Sequence, residues 1–123
     1  MEKMRILLAE DHKVVREGTR KLLESQPDFE VVGEASDGIE AVELAKKLKP
    51  EIIIMDVSMP RLNGIEATRQ IKEMYPEMPI IAQTAYAMDG DRERSLQAGC
   101  DEYIAKPINL KEFIELIAKF IDA

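Results

Sequence analysis

Cysteine occurs once in 123 residues, at Cys100. No disulfide within the chain is possible, and a reducing compartment is expected. Cys100 has no neighbours at metal-ligand spacing, so it reads as a small, partly buried side chain. Positive charge is in deficit: 17 Lys and Arg stand against 24 Asp and Glu, a net charge of −7. That argues against a strong nucleic-acid surface within this chain, while leaving room for a basic partner or for a DNA-binding domain on another chain or downstream. No apolar run approaches the roughly 18 residues of a membrane-spanning helix, and no signal-peptide pattern is present. No membrane association and a cytoplasmic location are the expectations. Repeats, low-complexity tracts and linkers are also missing. A chain of this length buries roughly two thirds of its unfolded surface, enough for one core. One domain over residues 1–123 is therefore expected.

What is there is an alternation of short apolar runs with helical periods. Met4 to Ala9, Phe29 to Gly33, Ile52 to Met55, Pro79 to Ala82 and Tyr103 to Ala105 read as strands. Between them lie helices. Val14, Gly18 and Leu22, with Val15 and Leu23 beside them, fit one helix face. Asp37 is placed to cap a second helix carrying Ala41, Leu44, Ala45 and Leu48, which Pro50 closes. Ile65, Thr68 and Ile71 mark a third, ending near Pro76. A charged fourth, Asp89 to Ala98, stops at Gly99. Leu110, Phe113, Ile114, Ile117 and Ile121 give the last helix an apolar stripe. Five strand–helix units with near-continuous apolar strands predict an α/β fold, a doubly wound parallel sheet covered on both faces. In such sheets the functional site lies beyond the carboxyl ends of the strands.

Those ends carry charge. The first strand runs into Glu10 and Asp11, the third into Asp56, the fourth into Thr84 and the fifth into Lys106. Three carboxylates meeting at one edge repel each other unless a cation neutralises them. Hard oxygen donors with open positions suit Mg²⁺, which keeps waters and bridges to phosphoryl oxygens. A carboxylate nucleophile near a divalent ion, a lysine and a hydroxyl suits acyl phosphate formation. Taken singly, an acidic pair after a strand is a helix cap and Lys-Pro is a turn; together at successive strand ends they point to chemistry. Gln83 places a polar group in an otherwise apolar strand and needs a partner if buried. His12 reads as an N-terminal helix residue rather than a ligand, and the seven methionines read as core filler.

The segments LLAEDH (7–12), IIIMDVSMPRLNG (52–64), IIAQTAY (80–86) and DEYIAKPI (101–108), in this order and spacing, resemble the receiver domain of two-component response regulators over essentially the full length. The resemblance implies a flavodoxin-like three-layer sandwich: a five-stranded parallel sheet of order 2-1-3-4-5 with five helices. It implies that Asp56 accepts a phosphoryl group from the phosphohistidine of a sensor histidine kinase or phosphotransfer protein, or from a small acyl phosphate. Asp11 and Asp56 would bind Mg²⁺ directly, Glu10 through water, with the Ser58 carbonyl completing the protein ligands. Lys106, ahead of Pro107, would contact the phosphoryl group and Thr84 would hydrogen-bond it. Tyr103 would swing inward behind Thr84, altering the face made by the fourth helix, fifth strand and fifth helix. That face would contact a downstream protein or output domain, or form a homodimer. Tyr86 and Ser58 would tune the lifetime of the acyl phosphate. Such a protein is not a conventional enzyme, although it catalyses its own phosphorylation and dephosphorylation.

Residues 4–72 look like receivers that precede LuxR-type DNA-binding domains, and residues 79–108 look like receivers of hybrid histidine kinases. A natural regulator is the preferred source of this mixture; an isolated receiver, or a chimera joined near residues 75–79, is the alternative. A phosphorylation-independent adaptor of the same fold is disfavoured by the intact Asp11, Asp56, Thr84 and Lys106. A phosphate-cradling cofactor binder would want Gly, Ser or Thr where AEDHKVV stands. An aspartyl phosphatase would want a second acid at position 58, where Ser58 stands.

Overall fold

The computed structural model describes residues 3–84, 91–105 and 108–121. Five strands and five helices alternate along them: β1 (Met4–Ala9), α1 (Lys13–Glu24), β2 (Phe29–Ala35), α2 (Gly38–Leu48), β3 (Ile52–Asp56), α3 (Gly64–Met74), β4 (Ile80–Thr84), α4 (Asp91–Ala98), β5 (Glu102–Ala105) and α5 (Leu110–Ile121). The strands form one sheet of order β2-β1-β3-β4-β5, every pairing parallel. This is the expected flavodoxin-like arrangement. It brings the carboxyl ends of all five strands to one edge.

The strands are apolar on both faces because both are covered. Alternation along them sorts side chains into two cores. Leu7, Ala9, Ile53, Met55, Ile80 and Ala82 point to the side where Ala41 and Ala45 of α2 and Ala67 and Ile71 of α3 pack. Ile6, Leu8, Ile52, Ile54 and Ile81 point to the other, against Leu23 of α1 and Phe113 and Ile117 of α5. There Phe29 and Phe113 meet edge to face, with ring centroids 5.9 Å apart.

Local signals set most boundaries. The Asp37 carboxylate accepts from the Glu40 backbone N–H at 2.8 Å and caps α2, as expected. Asn63 does the same for α3 through the Glu66 N–H, a cap that the residue pattern alone had not singled out. Gly99, following α4, has φ +113°, a conformation that side chains resist. Arg5, on β1, donates to the Leu48 and Lys49 carbonyls and closes the C-terminus of α2.

Two expectations need correction. The second strand continues to Ala35, two residues past the expected end, because Glu34 and Ala35 pair with Leu8 and Ala9 of β1. The apolar face expected for α1 is also wrong at its start: Val14 is 82% exposed and Val15 43%. The helix instead seats Leu23 fully and Leu22 partly against the sheet. Its amino-terminal turn stands beside the carboxyl edge of the sheet, beyond the reach of the core.

Candidate functional site

The register at the carboxyl edge puts the acidic residues side by side. Ala9 pairs with Met55, so the next residues, Glu10 and Asp56, leave the sheet level with one another. Asp56 in turn pairs with Gln83 of β4, one residue before Thr84. Glu10, Asp56 and Thr84 are all buried, Glu10 completely. Asp11 follows beside them, with 23% of its side chain exposed. Ligand-capable atoms of Glu10, Asp11, His12 and Asp56 all lie within 4.8 Å of one another. Such a density of acidic groups is stable where a cation offsets their repulsion. The donor set fits a hard divalent ion: carboxylates from two strand ends, open on one side to solvent.

The backbone around Asp56 is tightly packed. The Ser58 N–H donates to Asp56 Oδ1 at 3.2 Å. The Val57 N–H donates to the Gln83 carbonyl, and the Gly64 N–H donates to the Val57 carbonyl, both at 3.0 Å. Gly64 is pressed so closely against the Asp56 peptide that a Cβ there would lie 2.7 Å from the Asp56 carbonyl carbon. Gly38, at the start of α2, meets the same loop from the other side, where a Cβ would lie 2.6 Å from the Leu62 carbonyl carbon. The loop after β3 is thus clamped between two helix N-termini, and Asp56 is held with it.

A second clamp links the same elements. Arg61, which has a left-handed φ of 63°, donates its guanidinium to the buried Asp37 carboxylate. The Glu40 backbone N–H holds the Asp37 carboxyl below its ordinary pKa; burial opposes this, and the Arg61 charge adds to it. On the β1 side, Arg16 donates to the Glu10 carbonyl at 2.8 Å and pairs with Glu34 of β2 at 3.2 Å. Reasoning from sequence missed both contacts. Arg61 and Asp37 stand 24 positions apart, and nothing local marks them as partners.

The structure brings together Glu10, Asp11 and Asp56, with Ser58 bonded to Asp56 and Thr84 on the adjoining strand end. Tyr103 is half-buried on β5 opposite Ala82, two residues behind the level of Thr84, which pairs with Ala105. Lys106, Pro107 and Tyr86 lie outside the described residues. Gln83 is buried, and among the described residues no hydrogen-bond partner reaches its Nε2. His12 is at the N-terminus of α1, as its position suggested, yet it also joins the acidic group. Its Nδ1 lies 3.2 Å from both Glu10 Oε2 and Asp11 Oδ1. Among the described residues no helix is long and apolar enough to cross a membrane.

Comparison with known proteins agrees with this geometry. The chain is 35% identical to the response regulator domain of CheB from Thermotoga maritima, with a TM-score of 0.88 over 99% of this chain and 98% of that one. It is 39% identical to the response regulator protein VraR of Staphylococcus aureus over 94% of this chain and 56% of that protein. It is 35% identical to the transcriptional regulatory protein DegU of Brevibacillus brevis over 94% of this chain and 49% of that one. The chain thus spans about half the length of these two curated relatives. The family model for the response regulator receiver domain matches residues 6–118, and the chain belongs to that family, the receivers of two-component systems.

Proposed function

We propose that this chain is a phosphorylation-dependent signalling switch in which Asp56 is the phosphoacceptor. One observation carries the reading: a buried carboxylate at a strand tip, with two further carboxylates inside the same 4.8 Å cluster. An Asp56 carboxylate oxygen attacks phosphorus. The new bond is an acyl phosphate, and the bond that breaks is the P–N bond of a kinase or phosphotransfer-protein phosphohistidine, or the P–O bond of a small acyl phosphate. The donor keeps the bonding electron pair.

Each neighbour has a task. The Ser58 N–H holds Asp56 Oδ1 and fixes the carboxylate orientation. Asp11 and Asp56 would hold Mg²⁺ directly, with Glu10 acting through water and the Ser58 carbonyl as a further ligand. The ion supplies charge neutralisation for the phosphoryl oxygens. Thr84 donates its hydroxyl to a phosphoryl oxygen, and Lys106 supplies a compensating positive charge by its match to the family motif. Thr84 and Tyr103 then form the switch pair, relaying phosphorylation to the face of α4, β5 and α5, where a downstream protein, an output domain or a second copy docks. Residues 1–123 act as one receiver unit.

The test is intact mass after incubation with Mg²⁺ and a small acyl phosphate, for wild type and Asp56→Asn. A single phosphoryl adduct on the wild type alone is expected. No adduct, with Mg²⁺ binding shown separately, would favour signalling by contact alone. Mg²⁺ at about one hundred times its Kd stabilises a folded state by about 2.7 kcal/mol, so it should raise the wild-type Tm by more than it raises that of Asp56→Asn. Equal shifts would contradict the metal assignment.

A further inference from the structure

Three carboxylates account for a hard-ion site; a fourth group beside them does not belong to that chemistry. His12 sits with its imidazole turned onto the carboxylates, Nδ1 at 3.2 Å from Glu10 and from Asp11, while its side chain is 69% exposed. The position does not serve the helix: His12 is the N-cap of α1, yet its side chain makes no capping bond there. The backbone N–H of His12 donates to the same Glu10 oxygen at 3.0 Å, which fixes where the ring begins.

We propose that His12 supplies a nitrogen ligand that lets the Glu10, Asp11 and Asp56 carboxylates hold a nitrogen-preferring first-row divalent ion, with Zn²⁺ as the test ion, in competition with Mg²⁺. This deepens the metal-site reading above and rests on it. Imidazole suits zinc, copper and nickel, whereas Mg²⁺ takes oxygen. Zinc bonds to histidine nitrogen and carboxylate oxygen are about 2.0–2.2 Å, so two ligands of one tetrahedral ion lie about 3.3–3.6 Å apart. The four side chains already offer atoms within 4.8 Å. The widest separation in the group must close by about an ångström, and the exposed His12 ring has room to move.

The consequence is a difference in kind between the two ions. A tetrahedral ion with four protein ligands has no open position. A site filled in that way offers no place for a phosphoryl oxygen, so the nitrogen-preferring ion holds the receiver in an unphosphorylatable state.

The chain has one histidine, so its imidazole nitrogens give a single, unambiguous set of NMR signals. Wild type and His12→Asn are titrated with Zn²⁺ and, separately, with Mg²⁺ by calorimetry. Asparagine is a good N-cap, so the variant keeps its helix. Zn²⁺ affinity should fall by about tenfold or more in His12→Asn, with Mg²⁺ affinity within about twofold of wild type. Zn²⁺ should also move the ¹⁵N resonance of Nδ1 in the wild type. Equal Zn²⁺ affinity in the two proteins, or an unmoved imidazole at Zn²⁺ saturation, overturns the proposal. A parallel loss of both ions overturns it too, because His12 would then act only by orienting Glu10 and Asp11. Failure of Mg²⁺ to bind wild type, with the zinc results as expected, would count against the hard-ion reading and leave His12 as a ligand.

Discussion

Gly64→Ala should be among the most damaging small substitutions in this chain. Gly64 opens α3 directly behind Asp56. An added methyl would lie 2.7 Å from the Asp56 carbonyl carbon, 3.0 Å from Met55 Cγ, and closer still to the Asp56 carbonyl oxygen. Ordinary carbon contacts are about 3.5–4.0 Å, so something must retreat by close to an ångström. The obstacle is backbone, and it belongs to a buried strand hydrogen-bonded on both sides. Overpacking costs about 1–3 kcal/mol where side chains can give way, so about 3 kcal/mol is expected here. Unfolding entropy of about 2.1 cal/mol/K per residue gives about 260 cal/mol/K for this chain, so the Tm should fall by about 12 °C. Gly18→Ala is the internal control. Gly18 lies in the exposed middle of α1, where a Cβ meets nothing within 4 Å. Alanine is better than glycine in a helix by about 0.8–1.0 kcal/mol, so this variant should gain about 3–4 °C. Thermal melts by circular dichroism give both values. A Gly64→Ala protein melting within 2 °C of wild type would refute the idea that the loop after β3 is clamped, and so would equal losses at the two glycines.

Two further outcomes follow from the titrating groups. Asp37→Ala removes the α2 cap and the Arg61 ion pair, and should cost about 1–2 kcal/mol at neutral pH. Because the folded state holds the Asp37 carboxyl below its ordinary value, its contribution is complete above the unfolded carboxylate pKa and is lost as pH falls through the folded one. Urea melts of wild type and Asp37→Ala should therefore converge in acid, and a gap that widens there would contradict the sign. Cys100 is pushed up to about 11, chiefly by burial and then by the Asp101 charge. At pH 8 only about a thousandth of it is thiolate, so Ellman's reagent should label it at least about a hundredfold slower in the folded chain than in denaturant. Comparable rates would mean that the thiol is reactive and accessible.

The parts of this fold that could be read from the residues are those decided by neighbours in sequence. Ile52 to Met55 is apolar on both faces, which only a covered parallel strand tolerates, and that reading needs no partner to be known. Asp37 and Gly99 act within one helical turn, so their caps were visible too. The carboxylates at the strand tips were legible for a related reason. Parallel strands share one polarity, and whatever follows each strand must arrive at a common edge. Strand order itself came from the family resemblance, since nothing local distinguishes which apolar run lies beside which.

What escaped is decided by distance in space. Val14 and Leu23 both fit a helical apolar stripe, but only the second lies over the sheet; a periodic pattern gives the face and not the length of helix that the core can reach. Arg61 and Asp37 meet because two helix N-termini converge on one loop, a fact of topology rather than of either residue's surroundings. His12 is the instructive case. By position it is an unremarkable residue at the start of a helix, and a bland reading was the sound one. Its imidazole became part of the site because the turn after β1 aims Glu10, Asp11 and His12 at the place where β3 delivers Asp56. A residue type with ordinary local prospects acquires chemical prospects when a strand from elsewhere ends beside it, so the groups worth testing at such an edge include every ligand-capable side chain on the loops that reach it.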